Sequence, residues 1–598
     1  MPGTIHYSTT PFHDLHLALP KDIPPWKRIA QAKRASRDAA IPLEWRLHAH
    51  QVPQDRLNVI DVPVECGILT ARELAMTEDD AVALVQKLVN REYSSYEVTL
   101  AFCKRAAIAQ QLVNCLTEVF FERALEAAQR LDAEYAASDV TRGPLHGLPV
   151  SLKDCFHISG TDATIGYTAL ANQPTSHHEE SEITRIMRES GAILFCKTNV
   201  PVALMAGETY NAIYGYTSNP YNRNLSSGGS SGGESALLAL RGAPLGVGTD
   251  VGGSVRIPAS FCGLYSLKPS FGRFPTYGLR DGLEGQEAVR NSVGPMARSL
   301  KAVELWSKAV VQSEPWISAD HDCLPIPWRK VEVPQKLCFG ILLDDRIVKP
   351  LPPVTRALLH TKAALEAAGH TVIEFCIVSR DEPLFIDSLK FALYRSAAAQ
   401  LLGTTLARTQ EPWPRGYAML EAMVQKKILT TEELVNGPAT VSDLWEAQAK
   451  RTEYAKRLQK AWTATKDRSG IGREMDALLM PCTPWPASPK YGFTYDNYTS
   501  LWNVLDYCAT TVPVCNVSSV KDVKPEYQGR NEIEKKIWDD YSPEAVVGCP
   551  VSIQLVGRRL HEEYLLGVTK VCDGALRSVG GIPYWSDFKA RKASEARC

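Results

Sequence analysis

Gly228-Gly229-Ser230-Ser231-Gly232-Gly233, followed by Gly248-Thr249-Asp250-Val251-Gly252-Gly253-Ser254-Val255-Arg256-Ile257-Pro258, is the stretch on which the reading of this chain turns. The first run leads straight into the apolar residues 236–240, and the second leaves a short apolar run at 245–248. Each therefore predicts a tight turn set beside buried segments, with hydroxyls and backbone N–H groups presented at the turn. Residues 235–241 read as a helix opened by glycines, 245–248 as a strand, and 254–260 as the start of a further helix.

The same alternation extends outward. Residues 147–154 predict a short buried strand ending in polar residues, 182–190 a helix, and 192–197 the next strand. Strands are expected again at 337–343, 371–375, 477–480 and 551–556, with a helix at 354–368 stopped by Gly369. This pattern specifies an α/β fold with a largely buried sheet. Before it lies a helical stretch. Thr77-x-x-Asp80 and Ser94-x-x-Glu97 read as N-terminal caps of helices at about 78–91 and 95–110, and a third helix is expected at about 118–136. Residues 1–65 read as an N-terminal arm, helical at 26–37, and 66–598 as one domain. Within that domain 311–335 reads as a surface excursion, 380–470 as a helical, cap-like insertion, and 517–545 as a charged, solvated one.

Composition excludes several classes of partner. The chain has 598 residues, 45% hydrophobic and 22% charged, with a formal net charge of -1. No bulk field favours nucleic acid or acidic lipid, and no apolar run is long enough to predict a membrane span. The first residues lack the pattern of a secretory signal. The 15 cysteines stand singly with no Cys-x-x-Cys pair, which predicts free thiols and a cytoplasmic location rather than a disulfide framework or a zinc site.

Three side chains stand out chemically. Ser254 follows two glycines at a strand-to-helix turn, where unpaired N–H groups and the positive end of a helix suit a developing negative charge. Ser230 and Ser231 lie between two Gly-Gly pairs. Lys153 ends a mostly apolar run, and a lysine withdrawn from water loses its proton more readily. Each also has a plainer reading: a structural turn or phosphate nest, a flexible linker, a surface lysine. No Gly-Lys-Ser/Thr follows the first run, so a phosphate loop fails on spacing. Cys155 is an alternative nucleophile. His177-His178 is an alternative relay or metal pair, though it has no third ligand at a telling spacing.

Taken together these segments resemble the amidase signature family. The resemblance is carried by residues 228–233, 248–264 and 267–269, by Gly143-Pro144-Leu145-His146-Gly147-Leu148-Pro149-Val150-Ser151-Leu152-Lys153-Asp154, by Lys197-Thr198-Asn199-Val200-Pro201, and by Gly557-Arg558-Arg559 with Glu562-Glu563 and Leu565-Leu566. Residues 98–109 are similar to fungal acetamidases. The resemblance implies a large twisted mixed sheet covered by helices on both faces. It also implies hydrolysis of small-molecule carboxylic amides through a serine acyl-enzyme, without metal or cofactor, and allows a homodimer. By resemblance Ser254 is the nucleophile, Ser230 the bridging serine on a cis peptide bond, and Lys153 the base. Val251, Gly252, Gly253 and Ser254 supply oxyanion donors, Ser231, Asp250 and Arg256 a supporting polar shell, and Leu204 a backbone contact to substrate. Three other roles use related motifs: a fatty-acid amide hydrolase, a glutamine-hydrolysing amidotransferase subunit, and a non-catalytic scaffold.

Overall fold

Eleven strands form one mixed sheet in the computed structural model, which describes residues 23–376 (apart from 54 and 319), 389, 393, 398–415 and 440–580. In chain order they are β1 Leu116–Val119, β2 Pro149–Lys153, β3 Ile193–Thr198, β4 Leu245–Asp250, β5 Tyr265–Lys268, β6 Ser292–Ala297, β7 Cys338–Ile341, β8 Thr371–Glu374, β9 Ala477–Pro481, β10 Cys508–Asn516 and β11 Pro550–Gly557. Their spatial order is β1-β3-β2-β4-β6-β5-β10-β11-β9-β7-β8. Two parallel groups, β3-β2-β4 and β9-β7-β8, are joined through antiparallel strands. Successive residues of a strand face opposite sides of the sheet. Every residue of β2, β3, β4 and β11 is buried, so both faces are covered there. This explains the mostly apolar character of the central strands.

The parallel pairing of β2 with β4 sets Leu152 opposite Val247. It therefore brings the C-terminal ends of the two strands together, with Lys153 at one and Thr249-Asp250 at the other. Crevices at strand C-termini are where open α/β sheets bind ligands. The helix Gly232–Ala239, which follows Ser231, packs against β2, β3 and β4 and so carries the first glycine-serine run to the same place.

The helical layer differs from the sequence reading in detail. The capping box at Ser94 and Glu97 starts the helix Ser95–Val113, but Thr77 caps nothing. It is buried near the end of the helix Ala71–Glu78, bonded to the carbonyls of Glu73 and Leu74, and the expected helix at 78–91 begins only after Asp80, whose carboxylate accepts from Ala83 N–H. The helix expected at 118–136 is a strand, β1, and then the helix Phe121–Ser138. Residues 517–545 are not simply a solvated insertion. The helix Glu532–Asp539 buries Ile537 and Trp538, and Arg356 pairs with the buried Asp522 at 2.6 Å. The charges in that stretch grip the body as well as face water.

The helix Pro25–Ala39 is fastened to the body, with Lys33 pairing with Glu118 (2.5 Å) and Asp162 (2.9 Å). Within 380–470 the described segments include the helices Ala398–Ala407 and Val441–Ala464. Arg451 on the second donates to the Ala288 carbonyl. The expected insertion otherwise lies partly outside the described residues. No helix among the described residues is long and apolar enough to cross a membrane.

Candidate active site

Lys153 is fully buried, and its Nζ donates to Ser230 Oγ at 2.8 Å and to Thr249 Oγ1 at 2.7 Å. Burial pushes the Lys153 amine down to about 8, against the opposing fields of Cys155, Asp250, Asp281 and Glu234. A minority of the population, roughly a tenth to a fifth, is therefore neutral near physiological pH. The Gly229–Ser230 peptide is cis, as the resemblance implied.

Ser254 sits at the lip of the site, 8% exposed. Its carbonyl accepts Ser231 N–H at 3.1 Å, which ties the two glycine-rich loops together. The loops also touch at Gly228, where φ is +81° and a Cβ would lie 2.6 Å from Pro258 Cα. Among the described residues no hydrogen bond joins the Ser254 and Ser230 hydroxyls directly. Such contacts often close only once substrate is bound.

Beside these groups is a small cavity of about 20 Å³, lined among others by Leu204, Ser230, Thr249, Val251 and Asp281. Leu204 and its neighbour Ala203 both take left-handed backbone conformations, with φ of 62° and 55°. A family model described as Amidase matches residues 97–566. The chain belongs to the amidase signature family.

This amidase is 38% identical over 557 residues to the acetamidase of Emericella nidulans, a match covering 91% of this chain and 97% of that one. It is 37% identical over 558 residues to the acetamidase of Aspergillus oryzae, covering 91% and 98%. Among solved structures it superposes on a fatty acid amide hydrolase with a TM-score of 0.83 at 30% identity, covering 92% of this chain and 95% of the other. It is a hydrolase that acts on amides.

The second loop of the amidase is held by a buried ion pair. Arg256 meets Asp250 through two nitrogens at 3.0 Å each, and Asn503 donates to Asp250 Oδ1 at 2.9 Å. Burial alone would raise the Asp250 carboxyl. The charge and hydrogen bonds of Arg256, with Asn503, hold it well below the usual carboxylate range. Asp250 Oδ1 also accepts Gly253 N–H at 2.8 Å, and Oδ2 accepts Val255 N–H at 3.2 Å. The N–H of Gly253 is thus already engaged in this structure. Gly253 itself has no room for a side chain: its φ is +128°, and a Cβ would lie 2.3 Å from Thr499 Oγ1. The helix after Ser254 is the six-residue Arg256–Phe261, so the expected helix dipole is short and the loop's own donors dominate.

Removing one partner of a buried ion pair strands the other's charge. Asp250→Ala is therefore expected to destabilise the fold by about 3–5 kcal/mol, read as a lowered unfolding midpoint in denaturant. An unchanged midpoint would show that the loop does not depend on this pair.

The rival groups are poorly placed or poorly ionised. Cys155 is fully buried, and burial pushes its thiol up to about 11. His177 and His178 stand exposed on a single short turn. Sequence reasoning missed Thr249, which orients the amine, and Glu234. The Glu234 carboxyl is fully buried, pushed up to about 8 by desolvation, and bonded by Ser151 (2.5 Å) and Thr198 (2.9 Å). Thr249 and Glu234 both fall in or next to the quoted glycine-rich segments. Asn503, far downstream, carries no local sign of its part.

Proposed function

We propose that this amidase cleaves short aliphatic amides, in the manner of an acetamidase, through a covalent intermediate on Ser254. The contact between buried Lys153 and Ser230 carries the reading, because a partly neutral amine beside a hydroxyl can draw its proton. In this scheme the Ser230 O–H donates to neutral Lys153 Nζ while Ser230 Oγ takes the proton of Ser254. Thr249, in accepting a hydrogen bond from Nζ, turns the amine's lone pair toward Ser230. Ser254 Oγ then attacks the amide carbon, forming a C–O bond as the carbonyl becomes an oxyanion.

We assign the oxyanion to the N–H groups of Val251, Gly252 and Ser254. Gly253 and the Asp250–Arg256 pair, with Ser231, hold the loop in place, and the Leu204 segment lies against the substrate. Collapse of the intermediate breaks the C–N bond. The leaving nitrogen takes its proton from Ser230, which is resupplied by Lys153. Water attacks the ester by the same relay, releasing the acid and restoring Ser254.

The likeness to acetamidases over most of the chain favours a small acyl group over a long chain. We divide the chain into an arm to residue 65 and one catalytic domain, in which the helix Val441–Ala464 lies beside the cavity. Arg451 supports that placement, because it reaches the Ala288 carbonyl next to the cavity-lining Val289. The described cysteines are all free thiols, which supports a reducing compartment such as the cytoplasm.

Initial rates on acetamide, butanamide, benzamide and oleamide, with Ser254→Ala as control, test the substrate reading. Acetamide and butanamide are expected to lead in kcat/KM. A lead by oleamide would transfer the assignment to fatty-amide hydrolysis.

A further inference from the structure

The wall of the cavity opposite the relay comes from residues 281–291, and its polar groups are unevenly provided for. Asp281, Gln286 and Asn291 all line the cavity with Ser230 and Leu204. Gln286 is self-satisfied: its Nε2 donates to the Val289 carbonyl and its Oε1 accepts Val289 N–H, both at 2.7 Å. Asn291 Nδ2 donates to Asp281 Oδ2 at 3.4 Å. That contact fixes the amide's orientation, because the flipped form would set two oxygens together. It leaves Asn291 Oδ1 buried and without a partner among the described residues. A buried acceptor without a donor asks for an explanation.

Asp281 is also short of positive charge. Its carboxylate accepts Leu283 N–H at 3.0 Å. The neighbouring arginines are engaged elsewhere: Arg280 donates to the Ala163 carbonyl at 3.0 Å, and Arg290 pairs with Asp322 at 2.9 Å and Glu287 at 3.2 Å. The nearest catalytic cation would be Lys153, which must be neutral to act as base. With Lys153 neutral, the cavity wall therefore carries a carboxylate and a bare carbonyl oxygen. The rest of this wall, Leu283 and Val289, is apolar.

We propose that Asp281 and Asn291 form a subsite that reads N–H donors and positive charge on the substrate, so that the enzyme favours amides bearing an amino group and rejects those bearing a carboxylate. A half-buried carboxylate in a narrow apolar cleft focuses its field on whatever enters. It attracts an ammonium and repels an anion by comparable amounts. Asn291 Oδ1 adds a directional acceptor that an aliphatic chain cannot use. This subsite rests on the proposal that the cavity receives the substrate.

Three amides of matched length test it: 4-aminobutanamide, cationic at neutral pH, pentanamide, neutral, and succinamate, anionic. Each is run as a substrate and as a competitor of acetamide hydrolysis, so a compound that binds without turning over is still scored. The wild type is expected to prefer the cationic to the anionic amide by about a hundredfold. In the isosteric Asp281→Asn the ratio should fall by at least about tenfold. Asn291→Leu should weaken the cationic amide relative to pentanamide while the exclusion of succinamate persists. A charge order that is flat or reversed in the wild type, or unchanged in Asp281→Asn, overturns the subsite. Persistence of turnover in Ser254→Ala would instead overturn the catalytic reading beneath it, so the two failures are distinguishable.

Discussion

Ser254→Ala is expected to lower amide turnover by roughly a millionfold, measured as ammonia release from acetamide, with the fold intact. The size follows from position. Ser254 is 8% exposed, on a loop whose backbone is tied down by Asp250 and by Ser231, so removing one oxygen disturbs little else. Cys155 is no ready substitute, since it is buried with its thiol raised to about 11. The residual rate would come from the oxyanion donors alone, which act without a covalent step. A fluorophosphonate probe gives a second readout. It should add one adduct per chain on the peptide containing Ser254, and none in Ser254→Ala. Turnover above a hundredth of wild type in that variant, or labelling at another residue, would remove Ser254 from its role and with it the acyl-enzyme.

The elements proposed as catalytic were readable because their signals are local. Gly-Gly pairs beside serines mark backbone that must approach other backbone closely, and Gly228 against Pro258 is such an approach. The capping box at Ser94 and Glu97 likewise lies within four consecutive residues. Four strands of the sheet escaped the reading for an opposite reason. β5, Tyr265-Ser266-Leu267-Lys268, is only four residues long and runs straight into Pro269, and β6 carries Gly294 and Pro295, so neither offers a sustained strand pattern. Pro295 in β6 and Pro513 in β10 count against strand assignments, yet both strands form, β10 with a shifted register between Pro513 and Cys515. β1, only four residues long, is paired solely with β3, and its sequence continues into a helix.

Thr77 was misread as a cap because a threonine three residues before an aspartate carries the cap pattern whether or not a helix begins there. Arg105, buried beneath it and bonded to its hydroxyl at 2.6 Å, decides its place through a contact distant in sequence. The same limit applies around the site. Asn503 and Asn291 reach it only by folding, and neither belongs to a segment with a pattern. What the sequence left open is therefore mainly the lining of the cavity proposed to receive the substrate.

Lys153→Met, which fills similar space without an amine, is expected to lower kcat/KM by roughly three to five orders of magnitude. The variant should fold at least as well as wild type, because an apolar side chain suits a position where burial disfavours charge. The pH profile gives the sharper test. The reactive form carries a neutral amine, and burial sets that amine at about 8. Protonation removes the acceptor for the Ser230 hydrogen, so wild-type kcat/KM should rise with pH, reach half its plateau near that value, and fall about tenfold per unit well below it. The carboxylates nearby oppose the burial, since Asp250, Asp281 and Glu234 all favour the charged form. Removing one of their charges, as in Asp281→Asn, should move the limb toward acid. A rate that stays flat down to pH 5, or a limb that moves toward alkali in Asp281→Asn, would mean that the titrating group is not this lysine. The proton of Ser254 would then leave by another route.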